Sequence, residues 1–481
     1  MQPKRAAKES SSDMAKDDKK TAAAAPAASA QGPAPVTPAE LRDWLKSRRI
    51  EEVECAVADI AGVARGKAMP AAKFADLKPM FLPVSIFFQD ITGGYVDFEG
   101  DQDYTEGDLL VVPDLTTIRT APWAKTPTAQ VIHDVQWQTG REVEYAPRNV
   151  LKRVMRLYAK EGWTPIVAPE IEFYLTKKNP DPDYQLEPPI GRSGRPGTAR
   201  QSYGLAGVDE YAEFVDDLYD FAEAQGLEID TIIQEGGSSQ LEINLRHGEP
   251  LLLADQVYFF KRTLREAALR HDCYATFMAK PMENEPGSAM HVHQSIIDSK
   301  SGMNLFSGTD GKPTDLFFGF IAGMQTYLPS ATCFLAPYVN SYRRLIPDAA
   351  APINVEWGMD NRTTGLRVPV APPEARRVEN RIAGADTNPY LVLAASLACG
   401  YLGMKHGLRP RPPVTGSAYA RSYQIPRGLL EAVALFEQSK ELREVLGTGF
   451  SALYGKIKQS EFEAFMRVIS PWEREHLLLS V

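Results

Sequence analysis

The 481-residue chain reads as an α+β protein, a small β-rich N-terminal domain followed by a large domain whose curved sheet is backed by helices. Three observations predict this. Short alternating segments broken by turns fill the stretch from Ile50 to about Ala146. Beyond it, helix-period segments alternate with strands. Four of the later segments repeat one design, an ionisable side chain at every second residue opposite a mostly apolar face.

The hydrophobic fraction of 44% is ample for a sizeable core, and the length suits two domains. A net charge of -9 gives no support to binding nucleic acid or an anionic membrane. Cys55, Cys273, Cys333 and Cys399 lack metal-ligand or CxxC spacing and read as reduced, buried thiols of a cytoplasmic protein. No apolar run is long enough to span a bilayer, and the N-terminus has no hydrophobic signal core.

Residues 1–38 are built from Ala, Lys, Ser, Asp and Pro and read as a disordered tail. Thr37-Pro38-Ala39-Glu40 has the form of a helix start, with Leu41, Trp44 and Leu45 at helical spacing behind it. The N-terminal domain is set at 39–146. In it, Val53, Cys55 and Val57 alternate before an Asp59–Gly62 turn, and Leu109–Val112 and Thr128–Val135 read as strands. Phe87–Gly94 is a loop carrying Asp90. The large domain is set at 147–481. It opens with a helix from Pro147 to Gly162, whose stripe is Leu151, Val154, Met155 and Tyr158. A long loop, 181–207, follows the first strand, and helices are expected near 210–226, 254–271 and 390–404.

The first strand holds Glu170 and Glu172 on one face and Ile171 and Phe173 on the other. Taken alone, such a pair reads equally well as a half-exposed strand. Glu242 and Asn244 repeat the arrangement with Glu235 just before them, as do His291, His293 and Ser295, and then Arg377, Glu379 and Arg381. One concave face lined with Glu, His and Arg explains all four segments together.

Carboxylates with one or two imidazoles suit Mg²⁺ or Mn²⁺. Their number is too large for one ion, so two metals are expected, clamping a nucleotide phosphate and a second substrate. Asn340–Arg344 and Asp360–Arg367 bring arginines suited to a carboxylate or a transferring phosphate. There is neither a GxxxxGK[ST] loop nor a GxGxxG turn.

At these residues the chain resembles the glutamine synthetase family. Pro169–Glu172, Gln240–Asn244, Gly287–Ser295, Asn340–Pro347, Asn361–Pro369 and Arg377–Tyr390 look like its signatures in order, and the likeness covers about Leu41 to Val481. It implies a β-grasp N-terminal domain and a catalytic domain with a curved antiparallel sheet. It also implies stacked rings, usually dodecamers, with active sites between subunits. ATP and two Mg²⁺ or Mn²⁺ would act on glutamate and a nitrogen nucleophile. Carried over residue by residue, one metal site maps to Glu172, Glu235 and Glu242, and the other to Glu170, His291 and Glu379. Glutamate would meet Glu172, Gly287, Arg344 and Arg381, and ATP would meet His293, Ser295, Arg362 and Arg367. Asp90, contributed across a subunit boundary, joins Arg344 and Arg362 as catalytic.

Departures from the family pattern point to the substrate. Ala350 stands where ammonia-using members carry a glutamate that helps to bind ammonium, which leaves room for a larger amine. Ser238-Ser239 replaces a usual Pro-Gly, and Glu374 replaces a lysine of the nucleotide site. Asp59–Lys67 and Ser470–His476 are similar to the γ-glutamylputrescine synthetase branch. The expectation is ATP-dependent γ-glutamylation of putrescine or another polyamine through a γ-glutamyl phosphate. The alternatives are an ammonia-using glutamine synthetase, a non-catalytic ring-forming homologue and a guanidino phosphotransferase. Tyr423, near a tyrosine that some members modify, reads as structural.

Overall fold

In a computed structural model of the chain, the described residues are 34, 35, 37–97, 106–197, 201–347 and 351–481. The expected tail over 1–38 lies almost wholly outside them, as does Ala350. Structure starts where the capping signal stands: helix α1 spans Pro38–Ser47, with Thr37 Oγ1 accepting from Glu40 N and Glu40 Oε2 accepting from Thr37 N. Its stripe of Leu41, Trp44 and Leu45 is buried.

Strands β1 (Glu52–Ala58), β2 (Ala64–Pro70), β3 (Met80–Pro83), β4 (Asp108–Pro113), β5 (Arg119–Thr120) and β6 (Thr128–Gln136) form one sheet in the order β2-β1-β6-β4-β3, with β5 beside β6. The short helix α2 (Ala71–Phe74) follows β2. β1 and β6 run parallel, and the other pairs antiparallel. β1 alternates as its apolar residues require, whereas β2 is an edge strand with mostly exposed side chains, so Arg65-Gly66-Lys67 lies in a strand that no apolar pattern announces. Gly66 is required there, since a Cβ would fall 1.8 Å from the Cys55 carbonyl oxygen.

Helix α3 (Pro147–Lys160) leads into β7 (Trp163–Lys177). Then come α4 (Leu205–Asp209), α5 (Ala212–Gln225), β8 (Ile229–Gln234), β9 (Gln240–Leu245), α6 (Pro250–Arg270), β10 (Cys273–Thr276), β11 (Met290–Asp298) and α7 (Asp315–Leu335). The chain continues with β12 (Trp357–Met359), β13 (Leu366–Val368), β14 (Val378–Asn380) and α8 (Pro389–Lys405). It closes with α9 (Leu429–Gln438), α10 (Lys440–Leu446), α11 (Thr448–Met466) and α12 (Pro471–Leu477). The 8-stranded sheet has the order β12-β13-β14-β11-β7-β9-β8, with β10 on β7. It is antiparallel except for the β12–β13 pair, so the expected antiparallel sheet has one parallel edge.

Ile171, Phe173, Leu241 and Ile243 are fully buried on the apolar side of this sheet, in the same core cluster as residues of α5 and α6. Helix α8 is apolar on every side and buried from Pro389 to Met404; it packs on α7, where Gly319 and Gly323 of α7 and Gly403 of α8 let the backbones meet. Arg148 of α3 ties the N-terminal sheet to helix α6. It pairs with Asp114 and Asp134 beside and on the N-terminal sheet and with Asp255 of α6, at 2.6, 2.6 and 2.8 Å. Among the described residues no helix is long and apolar enough to cross a membrane.

Candidate active site

The register of the large sheet determines which ionisable residues meet. Glu170 lies opposite His291 on one side and Asn244 on the other, while Glu172 faces Glu242. His293 lies opposite Glu379, which in turn lies opposite Arg367. Cross-strand partners share a face, so these rows place Glu, His and Arg side by side. Of these, Glu170, Glu172, Glu242, Asn244, His291 and Arg367 line a pocket of about 340 Å³ together with Glu235, Gly287, Arg344, Arg362 and Arg381.

Among the described residues three groups on this face of the sheet could hold a cation, each with one ligand atom per residue within 4.8 Å of the others: Glu172, Glu235 and Glu242; Glu170, Glu242 and His291; and Glu170, His293 and Glu379. The first is the trio implied by the family resemblance. The second implied trio, Glu170 with His291 and Glu379, does not close as one group. His291 Nδ1 lies 3.4 Å from Glu170 Oε2 and 3.9 Å from Glu379 Oε1, and Glu170 Oε1 is instead bonded to His293 Nε2 at 2.8 Å.

The electrostatics favour binding of a cation. Burial raises the Glu172 carboxyl to about 8, with repulsion from Glu235 adding to it, and burial followed by repulsion from Glu170, Glu172 and Glu235 raises Glu242 to about 9. Glu235 is raised mainly by burial as well. Burial opposes ionisation of Glu170 too, but the imidazoles of His291 and His293 hold its carboxyl well below the ordinary range. Burial and the nearby Arg381 push His291 down to about 4, and its buried Nδ1 has no hydrogen-bond partner among the described residues. Clustered carboxylates and one orphaned, neutral imidazole are a donor set for a hard divalent cation.

The arginines split into two kinds. Arg344 is 4% exposed and gives two of its donors to main-chain carbonyls, Nη1 to Ile382 at 2.8 Å and Nη2 to Arg381 at 3.0 Å. Arg381 bonds Glu379, which also accepts from Arg367 Nη1 at 2.8 Å, so Glu379 is held between two guanidinium groups. Arg381 Nε remains buried and unpartnered. Arg362 is exposed at the rim. Gly287 lies against Arg344, and a Cβ there would stand 2.6 Å from Arg344 Cγ and from the Ala279 carbonyl oxygen.

Besides His293 and Glu379, which bond residues of the pocket wall without lining it, two of the expected residues stand apart. Ser295 lies opposite Ile166, further along β11, and does not line the pocket. Asp90 belongs to the N-terminal region and is also absent from the pocket wall of its own chain. The Ser238-Ser239 replacement forms a turn with Ser239 at φ 62, and Glu374 is exposed in a short 3-10 turn. Tyr423 donates to the Leu345 carbonyl at 3.4 Å under Arg427, which suits a packed role.

Sequence reading passed over Gln240, whose Nε2 donates to Glu172 Oε2, the Gly287 carbonyl and Ser288 Oγ at 3.3, 3.1 and 3.3 Å. Its position two residues before Glu242 on the same strand face was the available signal. Arg377 Nε donates to His293 Nδ1 at 3.1 Å, which only the assembled sheet shows. Tyr203, at φ 66 on the pocket wall, carried no pattern at all.

Comparison with known proteins places these features. Residues 144–477 match the family described as glutamine synthetase, catalytic domain. The chain is 35% identical over 438 residues to gamma-glutamylputrescine synthetase PuuA of Escherichia coli (strain K12), covering 89% of this chain and 91% of that protein. It is 32% identical over 451 residues to glutamate–isopropylamine ligase of Pseudomonas sp, covering 90% and 96%. A solved GmaS/ADP complex matches with a TM-score of 0.76 at 27% identity, covering 91% of this chain and 99% of the other.

Proposed function

Because this chain belongs to the glutamine synthetase family, we propose that it is an ATP-dependent ligase joining the γ-carboxylate of glutamate to an organic amine, putrescine or another polyamine. The observation that carries this reading is the single pocket in which Glu172, Glu235 and Glu242 stand beside Gly287, Arg344 and Arg381. Both curated relatives described above are named for joining glutamate to, or synthesising a γ-glutamyl derivative of, an organic amine.

In this reading the γ-carboxylate attacks the terminal phosphorus of ATP, giving γ-glutamyl phosphate and ADP. The amine nitrogen then attacks the acyl carbon, forms the amide, and expels phosphate while losing a proton. Divalent cations, Mg²⁺ or Mn²⁺ and two per site, would neutralise the phosphate oxygens and the carboxylates around them. Arg344 and Arg381, with Gly287 leaving them room, hold glutamate through its main carboxylate. Arg362 at the rim and Arg367 beside Glu379 face the nucleotide phosphates, with His293 and Ser295 on β11. Asp90 receives the cationic amine and its proton at a neighbouring subunit's site. Active sites shared between subunits would place the chain in stacked rings, a dodecamer.

The same proposal takes residues 39–146 as a β-grasp domain and 147–481 as the catalytic domain. The hairpin β1–β2, the helix after it and a last strand parallel to the first support the β-grasp assignment. The cytoplasmic setting goes with four cysteines that are free and buried.

Steady-state turnover with glutamate, ATP and a panel of amines tests the reading. Putrescine or a longer polyamine should give the highest kcat/KM. Faster amide formation with ammonium than with any diamine would establish the ammonia-using alternative instead.

A further inference from the structure

Asp90 stands apart from the pocket of its own chain, yet it is held as firmly as any group within it. Its Oδ1 accepts from Thr92 N at 2.9 Å, Thr92 Oγ1 at 2.6 Å and Gly94 N at 3.0 Å, all inside its own loop. Its Oδ2 accepts from Ser460 Oγ at 2.9 Å, a residue of α11 close to the other end of the chain. The neighbouring Glu461 takes the backbone of the same loop, its Oε1 accepting from Ile91 N at 3.1 Å. The other Glu461 oxygen is bonded to Lys458 at 2.7 Å, and these two side chains are 4% and 1% exposed. The Lys458 ammonium lies 4.3 Å over the ring of Tyr338, which begins the turn ending at Arg344.

A loop tip held only by its own bonds keeps freedom to swing, because a short loop is attached to the body at its ends alone. One turn of α11 removes that freedom twice over, through the side chain of Asp90 and through the amide of the next residue. Asp90 is 3% exposed, so a ligand meets its carboxylate along a narrow approach, and the direction in which that carboxylate points then matters. Burial works against its charge, but the donors from Thr92, Ser460 and Gly94 outweigh it and hold the carboxyl below its ordinary range.

We propose that Ser460 and Glu461 are positioning residues of the ligase reaction: the C-terminal helix α11 orients Asp90 for the cationic amine. The inference rests on the reading of Asp90 as the amine-binding carboxylate, and the test separates the two. Ser460→Ala removes one donor from Asp90 Oδ2 without changing charge, and Ser460→Thr keeps the hydroxyl. KM is measured for putrescine, glutamate and ATP, with the thermal midpoint, for both variants and for Asp90→Asn.

The expected result is a rise of about tenfold in KM for putrescine in Ser460→Ala, the scale of one lost hydrogen bond to a charged group. Glutamate and ATP should stay within about twofold, and Ser460→Thr should restore most of the loss. A rise in Asp90→Asn without one in Ser460→Ala would overturn the positioning role and leave the reading of Asp90 standing. An unchanged KM for putrescine in Asp90→Asn would remove the reading and the inference together. Equal losses for all three substrates with a lowered thermal midpoint would mark Ser460 as a structural residue and overturn the proposal as well.

Discussion

Glu170 and His293 share a hydrogen bond of 2.8 Å between neighbouring strands, Oε1 to Nε2, and Arg377 donates to the other ring nitrogen at 3.1 Å. An arginine only donates, so His293 Nδ1 is the acceptor and Nε2 carries the proton given to Glu170. His291 leaves its Nδ1 free beside the second Glu170 oxygen. Glu170 thus belongs to the histidine rows, whereas Glu172 is tied to the Gly287–Ala289 segment through Gln240 and the Ala289 amide, the latter at 2.8 Å.

From that division, Glu170→Ala should mainly raise KM for ATP, and Glu172→Ala should mainly raise KM for glutamate. Each should lower kcat by about a hundredfold or more, the scale of losing one preorganised electrostatic group. Initial-rate kinetics in both substrates check this. Indistinguishable defects would remove the separate assignments.

The raised carboxyls of Glu172, at about 8, and Glu242, at about 9, make a linkage prediction for the metal-free protein. Unfolded, both titrate at about 4.3, so above that pH the folded state binds more protons than the unfolded one. Stability must then fall as pH rises through the folded values. The thermal midpoint without divalent metal should decline between about pH 6 and pH 9. Saturating Mg²⁺ should flatten that decline, because a bound cation stabilises the ionised forms. Thermal melts over this range, with chelator and with metal, would show it, and a midpoint rising with pH would contradict it.

Gly287→Ala should strike glutamate through Arg344. The new methyl would be 2.6 Å from both Arg344 Cγ and the Ala279 carbonyl, so something must shift, and the backbone side cannot give cheaply. KM for glutamate should rise at least about tenfold, with a stability loss of about 1–3 kcal/mol. ATP binding, followed by calorimetry with a non-hydrolysed analogue, should change much less.

Arg148→Met tests the joint between the N-terminal sheet and helix α6. Arg148 is 5% exposed and pairs with three aspartates, of which Asp255 is 3% exposed. Burial raises the Asp255 carboxyl, and Arg148 is the main group opposing that rise. Removing the cation leaves a buried carboxylate uncompensated, which costs about 3–5 kcal/mol. Urea unfolding measures the loss, and substrate KM values should be little altered in the protein that stays folded.

Much of the catalytic region was legible because its signal is local. Thr37 and Glu40 announced α1, and Pro147 with the Leu151–Tyr158 stripe announced α3. The alternation around Glu170, Glu242, His291 and Glu379 announced β7, β9, β11 and β14. β2 escaped because an exposed edge strand shows no apolar period, and β12 and β13 because three residues show none without the flanking alternation that Arg377 and Arg381 give β14. Pro329 obscured α7, whose helix nevertheless continues through it, held by the packing of an almost wholly apolar surface.

The amino-acid sequence alone determined which side chains share a face, since on a strand that follows from counting by twos, a property of the local backbone. It thereby selected Glu170, Glu172, Glu242, His291, His293 and Glu379 for one surface, and the motifs around them carried the family. Only the tertiary structure decided which rows become neighbours, because register depends on pairing between segments far apart in the chain. It paired His293 with Glu170 and Arg377, put Glu379 between Arg367 and Arg381, and set Gln240 against Glu172. It also brought Ser460 and Glu461 to the loop of Asp90, a contact across 370 residues that no local pattern encodes, since it arises only when α11 packs against the N-terminal region.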